Sequence, residues 1–292
     1  MRFGFHISIA GGFSKVIERA KKRGCETIQF FSRNPRIWAY SPLNQEDVDR
    51  FCEELSQTSI SPLFVHMPYL PNLASRDRDL HRKSLDALKA DLGRASCLGA
   101  PYLIIHVGHR GYQSEDEAIR RIAEGINEAF REVNNSVVLL LENTAGQGTE
   151  VGHTFSQIRK ILQGVDHEGR LGVCLDTAHA FGAGYDLSTL KGLEQTLGEF
   201  QAEIGLERLH VMHLNDTRSA LGSHVDRHWH IGEGNIGREG FGNIINHPLL
   251  SLLPGIMETP RKDDVEDLRN MGVIRSLVRE KIDVTMKRGS VR

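Results

Sequence analysis

Cysteine is scarce in this sequence, with four residues in 292, and none of Cys25, Cys52, Cys97 and Cys174 stands in a C-x-x-C pair. That spacing suggests neither a disulfide framework nor a thiolate zinc site, and it fits a reducing compartment. Long apolar runs are missing as well. Nothing approaches the ~18 residues of a membrane span. The short apolar start is interrupted by His6 and has no small-residue cleavage site, so the chain reads as untargeted and cytoplasmic. Neither sign of charge dominates, since 36 Lys and Arg face 38 Asp and Glu for a net charge of −2. This excludes a global pull toward nucleic acid or anionic membrane and leaves any such contact to local basic loops or bound cations. Low-complexity linkers are also lacking. Residues 1–292 are therefore read as one domain with a solvated basic tail at 287–292.

What is present is an alternation of short apolar runs with longer segments of helical period, the pattern of a parallel sheet wrapped by helices. Eight runs read as strands: Phe3 to Ile7, Thr27 to Phe31, Leu63 to His66, Tyr102 to His106, Val137 to Glu142, Gly172 to Asp176, Arg208 to His213 and Gly255 to Glu258. Ser114-Glu115-Asp116-Glu117 has the form of a capping box, and Ile119, Ile122, Ala123, Ile126, Phe130 and Val133 then share one helical face. Asn44 heads another helix with Val48, Phe51, Cys52 and Leu55 inward, while Val265, Leu268, Met271, Leu277 and Val278 mark the last. Eight units of about 36 residues each suit a single-domain (β/α)₈ TIM barrel, with a doubly wound open sheet as the competing architecture.

Barrels of this kind carry their chemistry at the C-terminal ends of the strands. Here strand 3 ends at His66, strand 4 at His106, strand 5 at Glu142, strand 6 at Asp176 with His179 three residues on, strand 7 at His213 and strand 8 at Glu258. One such residue is most often hydrogen-bonded structure. Six on one rim are a different matter. Glu142, Asp176, Asp226 and Glu258 gathered in one mouth would be driven toward protonation unless cations neutralised them. Mixed imidazole and carboxylate ligands suit zinc, with manganese or iron as competitors. In Asp226-Arg227-His228 the outer two residues face one side of an extended segment and could grip a single ion, although the spacing alone fits a surface turn as well.

The runs Glu142-Asn143-Thr144-Ala145-Gly146-Gln147-Gly148, Cys174-Leu175-Asp176-Thr177-Ala178-His179, His213-Leu214-Asn215-Asp216, Val225-Asp226-Arg227-His228, Gly232-Glu233-Gly234-Asn235-Ile236-Gly237 and Met257-Glu258-Thr259-Pro260 carry a family likeness. With His6 and Gly11-Gly12 they span nearly the whole chain and resemble the endonuclease IV family of apurinic/apyrimidinic endonucleases. The resemblance implies three zinc ions, with Mn²⁺ or Fe²⁺ as substitutes. It assigns His66, His106 and Glu142 to the first, and Glu142, as a bridge, with Asp176, His213 and Glu258 to the second. The third falls to His179, Asp226 and His228. About three protein contacts per ion leave room for water or substrate, as catalytic zinc requires. One departure is visible: His106-Val107-Gly108-His109 stands where the family commonly reads H-P-G-S-H, which puts the outer contacts of His109 and Arg110 in question.

The activity implied is metal-assisted hydrolysis of the phosphodiester 5′ to an abasic site in duplex DNA, leaving a 3′-hydroxyl, with Glu142 orienting the nucleophile. The implied partner is damaged double-stranded DNA, met at the nucleoid by a monomer without membrane or obligate protein partners. Arg33, Asn34, Arg36, Trp38 and Tyr40 interleave basic and aromatic groups after strand 2, and Tyr69 follows His66. The resemblance makes Arg36 and Tyr69 a wedge into the base stack, with Asn34 and Arg227 as further DNA contacts. A bland alternative has Trp38 and Tyr40 capping the barrel and the arginines solvated. Two other functions compete: a sugar isomerase or epimerase, which needs one or two ions and leaves Asp226, His228 and His179 unexplained, and a catalytically silent zinc-bound DNA-binding scaffold.

Overall fold

A computed structural model describes residues 1–279, and the expected basic tail at 287–292 lies outside the described residues. The barrel strands are β1 (Arg2–His6), β2 (Thr27–Phe31), β3 (Leu63–His66), β4 (Tyr102–His106), β5 (Val138–Glu142), β6 (Leu171–Asp176), β7 (Leu209–His213) and β10 (Pro254–Met257). They close in the order β1-β10-β7-β6-β5-β4-β3-β2 with every pairing parallel, so the open sheet is ruled out. Between β7 and β10 the chain adds one small antiparallel pair, β8 (Asp216–Thr217) with β9 (His228–Trp229). Among the described residues no helix is long and apolar enough to cross a membrane.

The interior of the barrel explains the placement of the rim. Phe64, Ile104, Leu140, Cys174, Val211 and Ile256 form an enclosed apolar layer inside it. Side chains alternate along a strand, so the residue two positions on points into the barrel one layer higher. Those residues are His66, His106, Glu142, Asp176, His213 and Glu258. The apolar layer is thus the floor on which the polar layer stands. Burial pushes the Cys174 thiol up to about 12, which keeps it in the floor as a neutral group rather than a thiolate ligand.

The helices form where local signals agree with burial. In α4 (Glu115–Glu132) Ser114 accepts a hydrogen bond from the Glu117 amide, three acidic residues occupy the first turn, and Ile119, Ile122, Ala123, Ile126 and Phe130 are buried. In α2 (Gln45–Ser56) Asn44 caps the start and Val48 and Phe51 point inward. Cys52, expected inward, is exposed. One carboxylate of α2 also serves α1 (Ser14–Lys22), whose own N-cap Phe13 has no capping side chain. Asp47 accepts from the amides of Phe13 at 2.6 Å and Ser14 at 3.0 Å. Gly12, at φ 106°, passes so close that a Cβ would lie 2.9 Å from that carboxylate, while Gly11 is called for by its own φ of 83°.

The last helix, α9 (Asp264–Ser276), departs most from expectation. Val265 and Leu268 are 69% and 50% exposed and Val278 is exposed, while Asp267, Asn270, Met271 and Ile274 face the barrel. The cause is Arg23 at the end of α1, buried and in need of a counter-charge, which donates to Asp267 at 2.7 Å and also bonds Asp264. A buried guanidinium outranks apolar periodicity in choosing which face of the helix turns in.

Candidate metal centre

Glu142 sits at the middle of the mouth with no solvent exposure. Its Oε2 lies 2.9 Å from His66 Nε2 and 3.0 Å from His106 Nε2, and its Oε1 lies 3.0 Å from His213 Nδ1. His213 Nδ1 is in turn 3.3 Å from Glu258 Oε2 and 3.8 Å from Asp176 Oδ2. Three donor groups, His66/His106/Glu142, Glu142/Asp176/His213/Glu258 and Glu142/Cys174/His213, therefore share the Glu142 carboxylate, and the neutral Cys174 thiol leaves the first two as the sets suited to a cation. A further group lies beside them: His179 Nε2 is 3.3 Å from Asp226 Oδ1 and 3.3 Å from His228 Nε2, and His228 Nε2 is 3.5 Å from Asp226 Oδ1.

These residues fit divalent metal on two counts. Ligands around a tetrahedral zinc, at metal–donor distances of about 2.0–2.1 Å, stand about 3.3 Å apart, close to the spacings within each group. The second count is the state of the imidazoles. His66 donates from Nδ1 to the Met67 carbonyl at 2.7 Å, His179 from Nδ1 to the Asn143 carbonyl at 2.9 Å, and His228 from Nδ1 to the Glu258 carbonyl at 3.3 Å. Each bond leaves Nε2 free and turned to the carboxylates. His213 is reversed, its Nε2 donating to Gln29 Oε1 at 2.8 Å so that Nδ1 faces inward. A hydrogen-bond acceptor that fixes the ring nitrogen away from the metal is the usual companion of a histidine ligand.

The electrostatics of the metal-free cluster agree. Burial alone would raise Glu142 and Glu258, but the facing histidines outweigh it and hold both well below the usual carboxylate range. Burial likewise opposes charge on His179 and His213, yet Asp176 and Asp226 around the one, and the Glu258 and Glu142 carboxylates around the other, raise both well above 6.5. For Asp226, burial is overcome by His179 and His228, which take it down to about 2. The protons on these rings occupy positions that suit cations.

Local structure carries each donor. Asp176 ends β6 and caps α6 (Thr177–Ala183), its Oδ1 accepting from the His179 amide at 2.8 Å, so both reach the mouth from one turn. Asp226 comes from the long connection before β9 and His228 opens β9 itself; the Asp226 amide donates to Gln147 Oε1 at 3.1 Å. Asn215 orients two of the candidate donors together, donating to Asp176 Oδ2 at 2.6 Å and accepting from the Glu258 amide at 2.8 Å. The Gly232 to Gly237 run wraps the buried Asp216 carboxylate, which accepts from the amides of Gly232, Gly234, Ile236 and Gly237.

Gln29 and His6 were missed by sequence reasoning as parts of the centre. Gln29 is fully buried, and besides accepting from His213 it donates from Nε2 to Glu258 Oε1 at 2.6 Å. The signal was a glutamine at an inward position of an apolar strand. His6 Nδ1 lies 3.2 Å from Glu258 Oε1 and its Nε2 is buried without a partner, bordering a cleft of about 530 Å³.

That cleft is also lined by Phe31, Asn34, Arg36 and Arg261. Asn34 and Arg36 are exposed, with Asn34 Oδ1 accepting from the Arg36 amide, and Arg227 is exposed beside Asp226. Tyr69 is 66% exposed. Arg33, grouped with them in the sequence, is instead buried, donating to Asp91 at 3.3 Å and to the Ile37 carbonyl and stacking over Tyr40 at 4.7 Å. It anchors the loop rather than lining its surface.

Comparison with known proteins adds the following. The model of a family described as xylose isomerase-like TIM barrel matches residues 17–276. The probable endonuclease 4 of Methanosphaerula palustris is 45% identical over 280 residues, 95% of this chain and 98% of that protein. That of Halothermothrix orenii is 45% identical over 270 residues, 91% and 97% of the two chains. Among solved structures, endonuclease IV from Thermus thermophilus aligns with a TM-score of 0.86 at 36% identity, covering 95% of this chain and 98% of its own. A D-tagatose 3-epimerase-like protein, at 17% identity and a TM-score of 0.71 over 95% and 97% of the two chains, shares the fold alone.

Proposed function

This chain belongs to the endonuclease IV family, and on that premise we propose that it is a zinc-dependent apurinic/apyrimidinic endonuclease of base excision repair, hydrolysing the phosphodiester 5′ to abasic sites in duplex DNA and leaving a 3′-hydroxyl. It works as a cytoplasmic monomer that meets its substrate at the nucleoid. The observation that carries the reading is one buried carboxylate, Glu142, shared by the His66/His106 and Asp176/His213/Glu258 groups, with His179, Asp226 and His228 within 3.5 Å of one another alongside. A one- or two-ion sugar isomerase has no use for that third group.

Three zinc ions are assigned to His66, His106 and Glu142; to Glu142, Asp176, His213 and Glu258; and to His179, Asp226 and His228, with Mn²⁺ or Fe²⁺ as substitutes. Bound metal supplies a nucleophile at neutral pH and offsets negative charge at phosphorus and the leaving oxygen. The chain's own residues do the rest. Glu142 orients the nucleophile from between the first two donor groups. Asn215 and Gln29 hold the flanking carboxylates in place, and the apolar floor closes the site from below. Arg36 and Tyr69 wedge the duplex where the base is missing, and Asn34 and Arg227 hold the backbone.

Metal analysis and one assay test this. Near three zinc ions per chain together with nicking of a duplex carrying one synthetic abasic site is the expected result. Three metals without nicking would sink the reading.

A further inference from the structure

The loop that departs from the family pattern, Val107 to Gln113, is built as a rigid platform. It leaves β4 directly after His106, so it stands on the rim that carries the metal donors. Asn72, from the loop after β3, accepts from the His109 amide and donates to the His109 carbonyl, both at 3.0 Å. Arg110 N–H donates to the Thr149 carbonyl at 2.9 Å and Gly111 N–H to Thr149 Oγ1 at 3.2 Å. Gln113, buried, donates to the Ala74 carbonyl. At Gly108, φ 117°, a Cβ would lie 2.4 Å from Asn72 Oδ1, so the bracing demands glycine.

What this bracing presents is unusual for a surface without a ligand. Tyr112 at its tip has 107% relative exposure, with no packing partner. Across a cleft of about 320 Å³ stands Arg76, exposed and with no ion-pair partner among the described residues. Arg110 donates from its guanidinium to the Gln113 carbonyl and has no carboxylate partner among the described residues. The acid in the cleft, Asp77, is engaged at the start of α3 (Arg78–Cys97), accepting from the amides of Asp79 and Leu80 at 2.9 Å.

We propose that Arg76, Arg110 and Tyr112 form a shelf that grips the sugar-phosphate backbone of DNA flanking the lesion, beyond the wedge of Arg36 and Tyr69. Two arginines against one capping carboxylate favour a polyanion, and Tyr adds a hydroxyl donor and a flat face for deoxyribose. Rigidity means that little ordering is required on binding. The occupant is DNA rather than an acidic peptide because the platform is continuous with the mouth, whose proposed substrate is itself a polyanion. The inference rests on the endonuclease reading.

The test is kcat/KM of the zinc-loaded full chain on a duplex with one synthetic abasic site, across a range of salt. Each backbone contact contributes about one unit to the slope of log affinity against log salt. Arg76→Ala/Arg110→Ala should lower kcat/KM roughly tenfold at physiological salt and flatten the slope by about two. Arg76→Glu should lower it further, and Tyr112→Ala should cost several-fold with little change in slope. Zinc content and melting temperature should match the parent in each. Trimming the duplex on the flank over the shelf should erase the differences. An unchanged slope, or losses identical on duplexes trimmed from either side, would overturn the shelf and leave a solvated surface or an acidic protein partner instead. A parent protein that loads zinc but does not nick the abasic duplex overturns the underlying reading and the shelf with it.

Discussion

Two kinds of donor meet at the mouth, and they are held in different ways. His66, His106, Glu142, Asp176 and His213 end barrel strands and Glu258 follows one, so their positions are set by the parallel pairing, as where His106 pairs with Glu142 and Asp176 with His213. Asp226 and His228 come from a connection that reaches the centre only through such contacts as the Gln147 side chain and the short β8–β9 pair. Glu142 has no exposure, whereas the Asp226 side chain is 37% exposed. The strand-borne donors are a property of the barrel. The loop-borne pair is an addition to it, and in the function proposed above that addition is what separates phosphodiester cleavage from one- or two-ion sugar chemistry.

The comparison breaks most sharply at Glu142. Glu142→Gln removes one negative oxygen from the carboxylate shared by two donor groups, so zinc content should fall by about two ions per chain and abasic-site nicking by at least about 10³-fold. Retention of all three ions with ordinary nicking would make the strand-borne donors a structural cluster. Asp226→Asn should act on the other region alone. About one ion is lost, nicking falls roughly 10²-fold, and the remaining ions resist chelators as in the parent. Simultaneous loss of all three would show that the two regions form one cooperative unit.

Protons sharpen the same contrast. His179 and His213 have their pKa values raised in the metal-free fold by the facing carboxylates, so a metal binds in competition with protons on these rings. Zinc uptake should therefore release protons, and affinity should rise with pH until the raised pKa values are passed. Calorimetry in two buffers of different ionisation enthalpy reads the number. A buffer-independent heat near neutral pH would contradict the imidazolium pairs.

Next in size is Gln29. Gln29→Leu deletes the acceptor that holds His213 in the Nδ1-inward state and the donor that holds Glu258, which should weaken zinc binding at the strand-borne donors about 10–100-fold. The Asp226 region should be unaffected. Gln29→Glu keeps an acceptor for His213 but sets a carboxylate against Glu258, so a difference between the two variants tells which arm matters.

The barrel and its polar layer were legible because both follow from a period of two: apolar residue, outward residue, polar donor, repeated at strand after strand from Phe64/His66 to Ile256/Glu258. What escaped the sequence depends on partners distant in the chain. Arg23 and Asp267 lie 244 residues apart, and their bond, not the apolar stripe through Val265 and Leu268, orients α9. Gln29 drew no attention within the Thr27 to Phe31 strand because its partners, His213 and Glu258, are 184 and 229 residues away. Arg33 read as one of the exposed basic groups of the loop with Arg36, but it is buried against Asp91 of α3.

The smallest expected effect lies outside both regions, and it tests whether stability and metal binding are separable. Asp47 caps α1 across the gap between helices, and its pKa is lowered because the Ser14 and Phe13 amides outweigh burial, which alone would raise it. A carboxyl with a depressed folded pKa stabilises the fold fully above its unfolded pKa, and that contribution disappears as pH falls through the folded value. Asp47→Ala should therefore cost about 1 kcal/mol at pH 7, in the range found for lost caps, with parent and variant converging in acid once the carboxyl is protonated. Urea unfolding at the two pH values measures it. Zinc content at pH 7 should be unchanged, because neither α1 nor α2 carries any of the metal donors. If the variant lost zinc at neutral pH, the donors would owe their placement to the helical shell as well as to the strands.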